Sequence, residues 1–321
     1  MSSPLVHTVV LTWNGSSATA ACLASLAAQT HKANRLLLVD NGSATPPPPP
    51  PPPGRLICLK ENRGFAGGVN AGIAAALADG AEYVWLLNDD AVAPPGTLAA
   101  LVAAAEADPR LGILSPVIRA SAERASFTAG RIDLPTLTFH YADTAEVAAR
   151  WAADSPERLW VPGTAMLLRR ALLERIGGFD ATLFAYWEDN EICLRANRAG
   201  FRCAMVAEAE IFHPAELPGA GAAHRPPYFH YFMARNQLLL LCRHARWPGR
   251  ARPLLWSLLA SAREVARYRA HPALQRAIRQ GIWDGLRGRG GAYVPAGPMA
   301  PRLGQLCLAL AALAGRKASS A

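Results

Sequence analysis

The stretch FAYWEDNEICLRANRAGF, residues 184–201, sets Glu188, Asp189 and Glu191 behind Phe184, Tyr186 and Trp187 and ahead of two arginines. Carboxylates beside large aromatic rings are leaving water, where unpaired charge is costly. Two chemistries fit. The acids can begin a helix, whose N-terminal dipole favours negative charge, or one of them can be a general base beside a cation. A second group, Asn88-Asp89-Asp90 in WLLNDDAVAPPGTL, stands where an apolar run ends and Pro94-Pro95 stops its continuation. It forms a turn or supplies the hard oxygens that Mg2+ or Mn2+ needs while gripping a diphosphate. Asp40 in VDNGS fits an Asx-turn or a carboxylate that accepts from a pyrimidine ring N–H or a ribose hydroxyl. His213, closing AEAEIFH, reads as a satisfied side chain or a ligand.

These residues need a scaffold that brings strand ends together. Over the first 120 residues apolar strand-like runs alternate with alanine-rich helical runs, the pattern of βαβ units around a mostly parallel sheet. Strands are expected at 5–13, 35–40, 55–60 and 83–89, with helices at 16–29 and 64–79. Ligands of such sheets collect at the carboxyl ends of the strands, which is where Trp13, Asn14, Asp40 and Asn88-Asp89-Asp90 fall. Beyond residue 108, shorter strands alternate with helices at 169–177, 189–199 and 228–244, and 252–314 reads as amphipathic helix. Between the second and third strands, Pro46 to Pro53 is expected to run as extended polyproline II over roughly 25 Å, a stiff insertion at the surface.

NRGFAGGVNAG (62–72) lacks the G-x-G-x-x-G spacing and follows the third strand rather than the first, which argues against a dinucleotide cofactor. Its glycines either present backbone N–H groups to a diphosphate or let another backbone approach closely. The six cysteines form no CxxC pair and no metal spacing, and read as reduced core residues of a cytosolic protein. Neither a signal peptide nor an apolar run of ~18 residues is apparent. The formal charge of +9 is uneven: residues 243–321 hold 14 Arg/Lys against Glu264 and Asp284, a balance of +12, and residues 1–242 sum to −3.

Taken in order, VVLTWNG, LLLVDNGS, NRGFAGGVNAGI, WLLNDDA, GTAMLLRRALLERIGGFD, YWEDNEICLRANRAGFRC, IFH and RNQLLLL resemble the family 2 glycosyltransferases, from about Val9 to Leu241. Within that family the chain looks most like the bacterial rhamnosyl- and galactofuranosyltransferase branch that builds cell-surface glycans. The resemblance implies an α/β GT-A fold. It also implies a catalytic domain over 1–242, with a nucleotide-sugar half (1–120) and an acceptor half (121–242), and a basic helical tail over 243–321.

Position by position, it implies a nucleoside pocket at Thr12, Asn14 and Asp40, and a turn beside ribose and diphosphate at Asn62, Gly64, Phe65 and Asn70. Asn88-Asp89-Asp90 occupies the DxD position with Asn in first place, which shifts the metal ligand to Asp90, completed by His213. Asp189 is the implied base, Glu188 a neighbour that raises its pKa or positions the acceptor, and Glu191 a residue of the helix's first turn. Arg235 is implied to face the diphosphate. Gly163 and Thr164 floor the acceptor site, and Tyr186 and Trp187 wall it.

The activity this implies is inverting transfer of a sugar, rhamnose first, from a dTDP- or UDP-linked donor to a saccharide or lipid-linked acceptor, with Mg2+ or Mn2+. The tail's arginines are interspersed with Leu, Trp and Ala, without stacking aromatics in between, which argues against nucleic acid. They suit an anionic membrane surface on the cytoplasmic face, or a second subunit. Two rivals remain: an inactive glycosyltransferase-like scaffold, disfavoured by the joint presence of Asp90, Asp189 and His213, and a nucleotidyltransferase, disfavoured by WNGSS.

Overall fold

A computed structural model describes residues 3–15, 17–121, 125–127, 129–142, 144–213, 225–245 and 251–295. In chain order the elements are β1 (Val6–Thr12), α1 (Ser17–Ala27), β2 (Asn34–Asp40), β3 (Arg55–Cys58), α2 (Gly64–Ala78), β4 (Tyr83–Asn88), α3 (Thr97–Ala107) and β5 (Leu111–Arg119). Next come β6 (Ala125–Phe127), β7 (Gly130–Asp133), β8 (Thr138–Tyr141), α4 (Ala145–Asp154), β9 (Leu159–Trp160), β10 (Ala165–Arg169) and α5 (Arg170–Ile176). The chain continues through α6 (Glu188–Arg198), β11 (Arg202–Phe212), α7 (Pro227–His244), α8 (Ala251–Arg267) and α9 (Pro272–Leu286).

The chain divides into two compact units. The first comprises residues 1–133, 139–181 and 188–215 and holds the main sheet, in order β11-β5-β10-β4-β1-β2-β3, with β6 on β5. Strands β3, β2, β1 and β4 are mutually parallel, and β10 enters antiparallel between β4 and β5. Such strands are covered on both faces and read as continuous apolar runs. Accordingly Val9, Val10, Leu37, Leu38, Val84, Trp85 and Leu86 are all buried.

Helix α2 lies close on this sheet because glycines stand among the buried Val69 and Ile73 where the approach is tightest. A Cβ on Gly72 would sit 2.4 Å from Val9 Cγ1, and one on Gly68 would sit 2.5 Å from Leu11 Cδ1. Of the two readings of the glycine-rich segment, close approach is therefore what the structure exhibits. The Pro46–Pro53 run departs from expectation. It turns at its end, where Gly54 N–H donates to Pro51 O at 2.8 Å, because the chain must double back into β3.

The second unit comprises residues 134–138, 182–187 and 216–321, and its described helices are α7, α8 and α9. Ala234 and Leu238 of α7 share a core with Val265 and Tyr268 of the α8 side and with Leu274, Ile278 and Ile282 of α9. The apolar stripe of α7 thus has its partners in α8 and α9. The expected helix over 252–314 is realised as α8 and α9; residues 296–314 lie outside the described residues. No helix of the described residues is long and apolar enough to cross a membrane.

Gly72→Val is expected to lower the unfolding free energy by about 1–3 kcal/mol through overpacking against Val9, read as a lower urea midpoint with an unchanged slope.

Candidate active site

Parallel strands end together, so their first loop residues form a cluster. At the end of β1, Thr12 Oγ1 donates to Asp89 Oδ2 at 2.6 Å, and Thr19 Oγ1 of α1 donates to the same oxygen at 3.1 Å. Asp89 is thus a positioned carboxylate held by two hydroxyls. The next residue faces elsewhere: Asp90 Oδ1 lies 3.0 Å from His213 Nε2, at the end of β11, and this contact holds the Asp90 carboxyl below its ordinary range. Asn88 Nδ2 is 3.4 Å from the same ring nitrogen. Asp90 and His213 offer a hard oxygen and an imidazole nitrogen side by side, a donor set that suits Mg2+ or Mn2+ when a diphosphate and water complete the shell. Among the described residues no three His, Cys, Asp or Glu gather to hold an ion unaided. Cys22, nearby, is pushed up to about 12 by burial and by Asp89 and Asp90, so it stays a thiol.

Asp40 is 1% exposed and accepts from Ser43 N at 3.1 Å and Ser43 Oγ at 2.5 Å, the Asx-turn geometry. Asn14, at φ 53°, donates its N–H to Ser43 Oγ at 2.7 Å and accepts from Ala44 N at 3.1 Å, so the loops after β1 and β2 interlock. Asn41, which the sequence reading passed over, accepts from Arg63 N at 3.0 Å and donates to Gly64 O at 3.0 Å and Asn62 Oδ1 at 3.2 Å. Asn62 Oδ1 also takes Gly64 N–H at 2.7 Å. The N–H groups of residues 63 and 64 at the start of α2 are therefore already occupied. The Asn70 amide donates to Phe179 O at 2.8 Å and accepts from Phe179 N at 2.9 Å, which fastens α2 to the turn after α5.

The acidic start of α6 divides as follows. Asp189 Oδ2 accepts from Gly163 N at 3.1 Å, and Oδ1 accepts from Asn190 N at 2.8 Å. Half-buried Phe65 adjoins them, since a Cβ on Gly163 would meet the Phe65 ring and Asp189 Cβ, each at 3.5 Å. That is ordinary contact, so Gly163 serves by its N–H and not by its missing side chain. Thr164 contributes its carbonyl, which accepts from Asn88 N at 2.9 Å. Glu188 is 7% exposed, and its Oε2 is enclosed without a hydrogen-bond partner.

Burial and the charge of Asp189 push Glu188 well above the usual carboxylate range. Burial also raises Asp189, and the N–H groups of Gly163 and Asn190 oppose the rise by favouring its charged form. Burial first, and the neighbouring Asp189 charge second, favour the neutral form of Glu188. The cation beside these acids is Arg195, which binds Glu191 through Nε at 2.8 and 2.9 Å and the carbonyls of Ile176 and Gly178 at 2.7 Å each.

In the second unit, the segment leading into Glu188 is strained. Phe184, Tyr186 and Trp187 have φ of 66°, 66° and 71°, which costs an L-residue roughly 1–2 kcal/mol each. Such strain persists only where the surroundings over-determine it. Asn236 Nδ2 is shared among the carbonyls of Leu183, Ala185 and Tyr186 at 2.9, 2.8 and 2.7 Å. Phe184 stacks on Phe232 at 5.5 Å, and Tyr186 meets Phe229 edge-on at 5.0 Å. Arg235 holds the same segment. It is fully buried and spends its donors on Asn236 Oδ1, Tyr231 Oη and the carbonyls of Thr182, Leu183 and Gly291.

Residues 4–247 match the model of the family described as glycosyltransferase like family 2. The chain belongs to this family. Among curated relatives of this glycosyltransferase, an N-acetylglucosaminyl-diphospho-decaprenol L-rhamnosyltransferase of Mycobacterium tuberculosis is 29% identical, over 80% of this chain and 90% of its own. Galactofuranosyltransferase GlfT1 of the same organism is 28% identical, over 88% and 93%. Among solved structures, mannosyltransferase PcManGT from Pyrobaculum calidifontis, in complex with GDP-Man and Mn2+, superposes with a TM-score of 0.55 at 19% identity, covering 88% of this chain and 87% of that one. GalNAc-T7 with UDP, GalNAc and Mn2+ gives 0.58 at 15% identity, over 86% and 55%. The fold of this glycosyltransferase is of the GT-A type.

Two outcomes follow from this geometry. Asn236→Ala strips partners from three carbonyls and is expected to cost about 3 kcal/mol or more of stability, measured by denaturant unfolding. Glu188 has a folded-state pKa above its unfolded value, so its contribution is present below the unfolded pKa and is lost as pH rises through the folded one. Between pH 4 and 8 the melting temperature of Glu188→Gln should therefore gain on that of the native chain as pH rises; parallel curves would contradict the buried neutral acid.

Proposed function

We propose that this glycosyltransferase moves a sugar, rhamnose first, from a dTDP- or UDP-linked donor to a lipid-linked saccharide, with inversion at the anomeric carbon. The observation that supports this reading best lies in the first unit. Gly163 holds the base candidate Asp189 through its N–H, while Thr164, the next residue, holds the strand end that displays Asp89 and Asp90 through its carbonyl. Burial raises Asp189 and two amide donors oppose that rise; in its charged form the carboxylate takes the proton of an acceptor hydroxyl. Glu188, held neutral beside it, can donate a hydrogen bond to the acceptor without competing for that proton.

The donor side is assigned to the ends of β1, β2 and β4, where Thr12, Asn14 and Asp40 line the nucleoside pocket. Asp90 and His213 would hold a divalent ion, which supplies positive charge to the leaving diphosphate. Attack from the face opposite that leaving group inverts the anomeric centre and needs no covalent intermediate. Rhamnose as the sugar rests on the likeness to the mycobacterial rhamnosyltransferase; galactofuranose is the second reading, supported by the likeness to GlfT1 over more of the chain. The arginines of α8, among which Leu255 and Trp256 are exposed, support peripheral attachment to an anionic cytoplasmic membrane face.

Donor hydrolysis and transfer across dTDP-rhamnose, UDP-galactofuranose and GDP-mannose test the reading, with Asp189→Asn as control. That variant should keep nucleotide binding and lose ~10²–10⁴-fold in turnover. Full activity in it would remove Asp189 from the role of base, and no hydrolysis or binding of any nucleotide sugar would favour a scaffold.

A further inference from the structure

In the first unit, Phe127, Phe139 and Tyr141 surround Trp160 at the small sheet of β7, β8 and β9. Trp160 is buried over Gly130, its partner across β7 and β9, where a Cβ would collide with the indole. Its Nε1–H donates to His140 O at 3.2 Å, which fixes the main chain beside Tyr141. Phe127 and Trp160 meet the Tyr141 ring at 85° and 84°, with centroids 5.9 and 5.0 Å away, so neither is stacked on it. Both are buried, whereas Tyr141 is 64% exposed. The ring is thus seated by rigid neighbours and open to solvent, which makes it contact area of low entropic cost.

The strand that seats it also carries the base. Leu159 O accepts from Asn197 Nδ2 at 2.9 Å, Val161 O accepts from Cys193 Sγ at 3.6 Å, and Gly163 N–H donates to Asp189 Oδ2 at 3.1 Å. Alternate residues of the segment from β9 to Gly163 therefore engage every fourth residue of α6, and those share one face of the helix. Trp160 belongs to the same segment, three residues before Gly163. Tyr141 feels the helix accordingly: surrounding protein first, and the charge of Asp189 second, push its phenol up to about 12. A side chain that is open to solvent and yet has protein on most sides stands in the wall of a cleft, here the one into which Asp189 faces.

We propose that the exposed ring of Tyr141 is the platform on which the acceptor sugar lies while one of its hydroxyls meets Asp189. The inference rests on the saccharide acceptor of the proposed function and adds the residue that selects among sugars. A pyranose with equatorial hydroxyls turns C–H groups to its faces, and these suit the face of an aromatic ring. An axial hydroxyl on that side stands between sugar and ring. Tyr141 contributes its ring in this role and not its hydroxyl, so phenylalanine serves in its place.

Transfer rates are measured on the full chain over a concentration range of octyl β-D-glucopyranoside, octyl N-acetyl-β-D-glucosaminide and octyl β-D-mannopyranoside, with whichever of dTDP-rhamnose, UDP-galactofuranose and GDP-mannose it hydrolyses. Tyr141→Ala is expected to raise the acceptor KM at least ~10-fold with kcat within ~3-fold of native, the signature of lost ground-state binding. Donor hydrolysis without acceptor, and affinity for UDP or dTDP with Mn2+, should be unchanged in it. Tyr141→Phe should keep the acceptor KM within ~3-fold of native, since the ring is retained. An unchanged acceptor KM in Tyr141→Ala, equal damage in Tyr141→Phe, or a parallel loss of nucleotide affinity would each overturn the proposal. One comparison needs no variant: the native chain should favour the two gluco-configured glycosides over the mannoside, with its axial hydroxyl, by at least ~10-fold in kcat/KM, and equal use of all three overturns the platform. Donor hydrolysis with no transfer to any of the glycosides refutes the platform alone, whereas failure to bind or hydrolyse any nucleotide sugar refutes the transferase reading itself.

Discussion

Two consecutive residues, Gly163 and Thr164, tie the start of α6 to the end of β4. The first gives its N–H to Asp189 at the start of α6, and the second gives its carbonyl to Asn88 at the end of β4. They can do both because β10 runs against its neighbours: Ala165 pairs with Leu87, so the antiparallel strand begins where parallel β4 finishes. A strand inserted in the common direction would start at the opposite edge of the sheet and leave α6 without this anchor. The reversed strand is thus the constraint from which the placement of Asp189 follows.

The acids of the first unit illustrate how environment separates identical groups. Asp89 is held by two hydroxyls, Asp90 faces an imidazole, Asp189 faces main-chain N–H groups, and Glu188 has an enclosed oxygen with no partner. Hydroxyls and amides stabilise a negative carboxylate without neutralising it, whereas enclosure beside an existing charge favours the protonated form. Four carboxyl groups at two chain positions therefore have four different sets of surroundings.

Much of this was legible in the sequence. Apolar runs ending in Asp40 and Asn88 and the acidic cluster at residue 188 announced strand ends and a helix start, because burial periodicity and dipole preference are local properties. What escaped notice has a common physical cause. Asn70, Asn41, Asn236 and Arg235 are all spent on main-chain groups of segments distant in sequence, and a main-chain carbonyl leaves no mark in a residue pattern. Arg235 shows this best: a cation beside an Asn on an apolar helix resembles a ligand for phosphate, and in the fold it binds carbonyls of residues 182, 183 and 291. The glycines of α2 were ambiguous for the same reason, since a missing side chain can make room for a ligand or for Val9 and Leu11.

The wrapping of Arg235 also orders events during biosynthesis. The loop that leads into Glu188 is made long before its restraints, because Arg235 and Asn236 emerge later and Gly291 later still. The βαβ front can assemble while the ribosome is still adding α7 to α9, as N-terminal portions commonly do. The strained backbone before the base has no reason to hold its shape until then. A nascent chain would therefore complete the sheet of the first unit before the restraints on residues 184–187 are made.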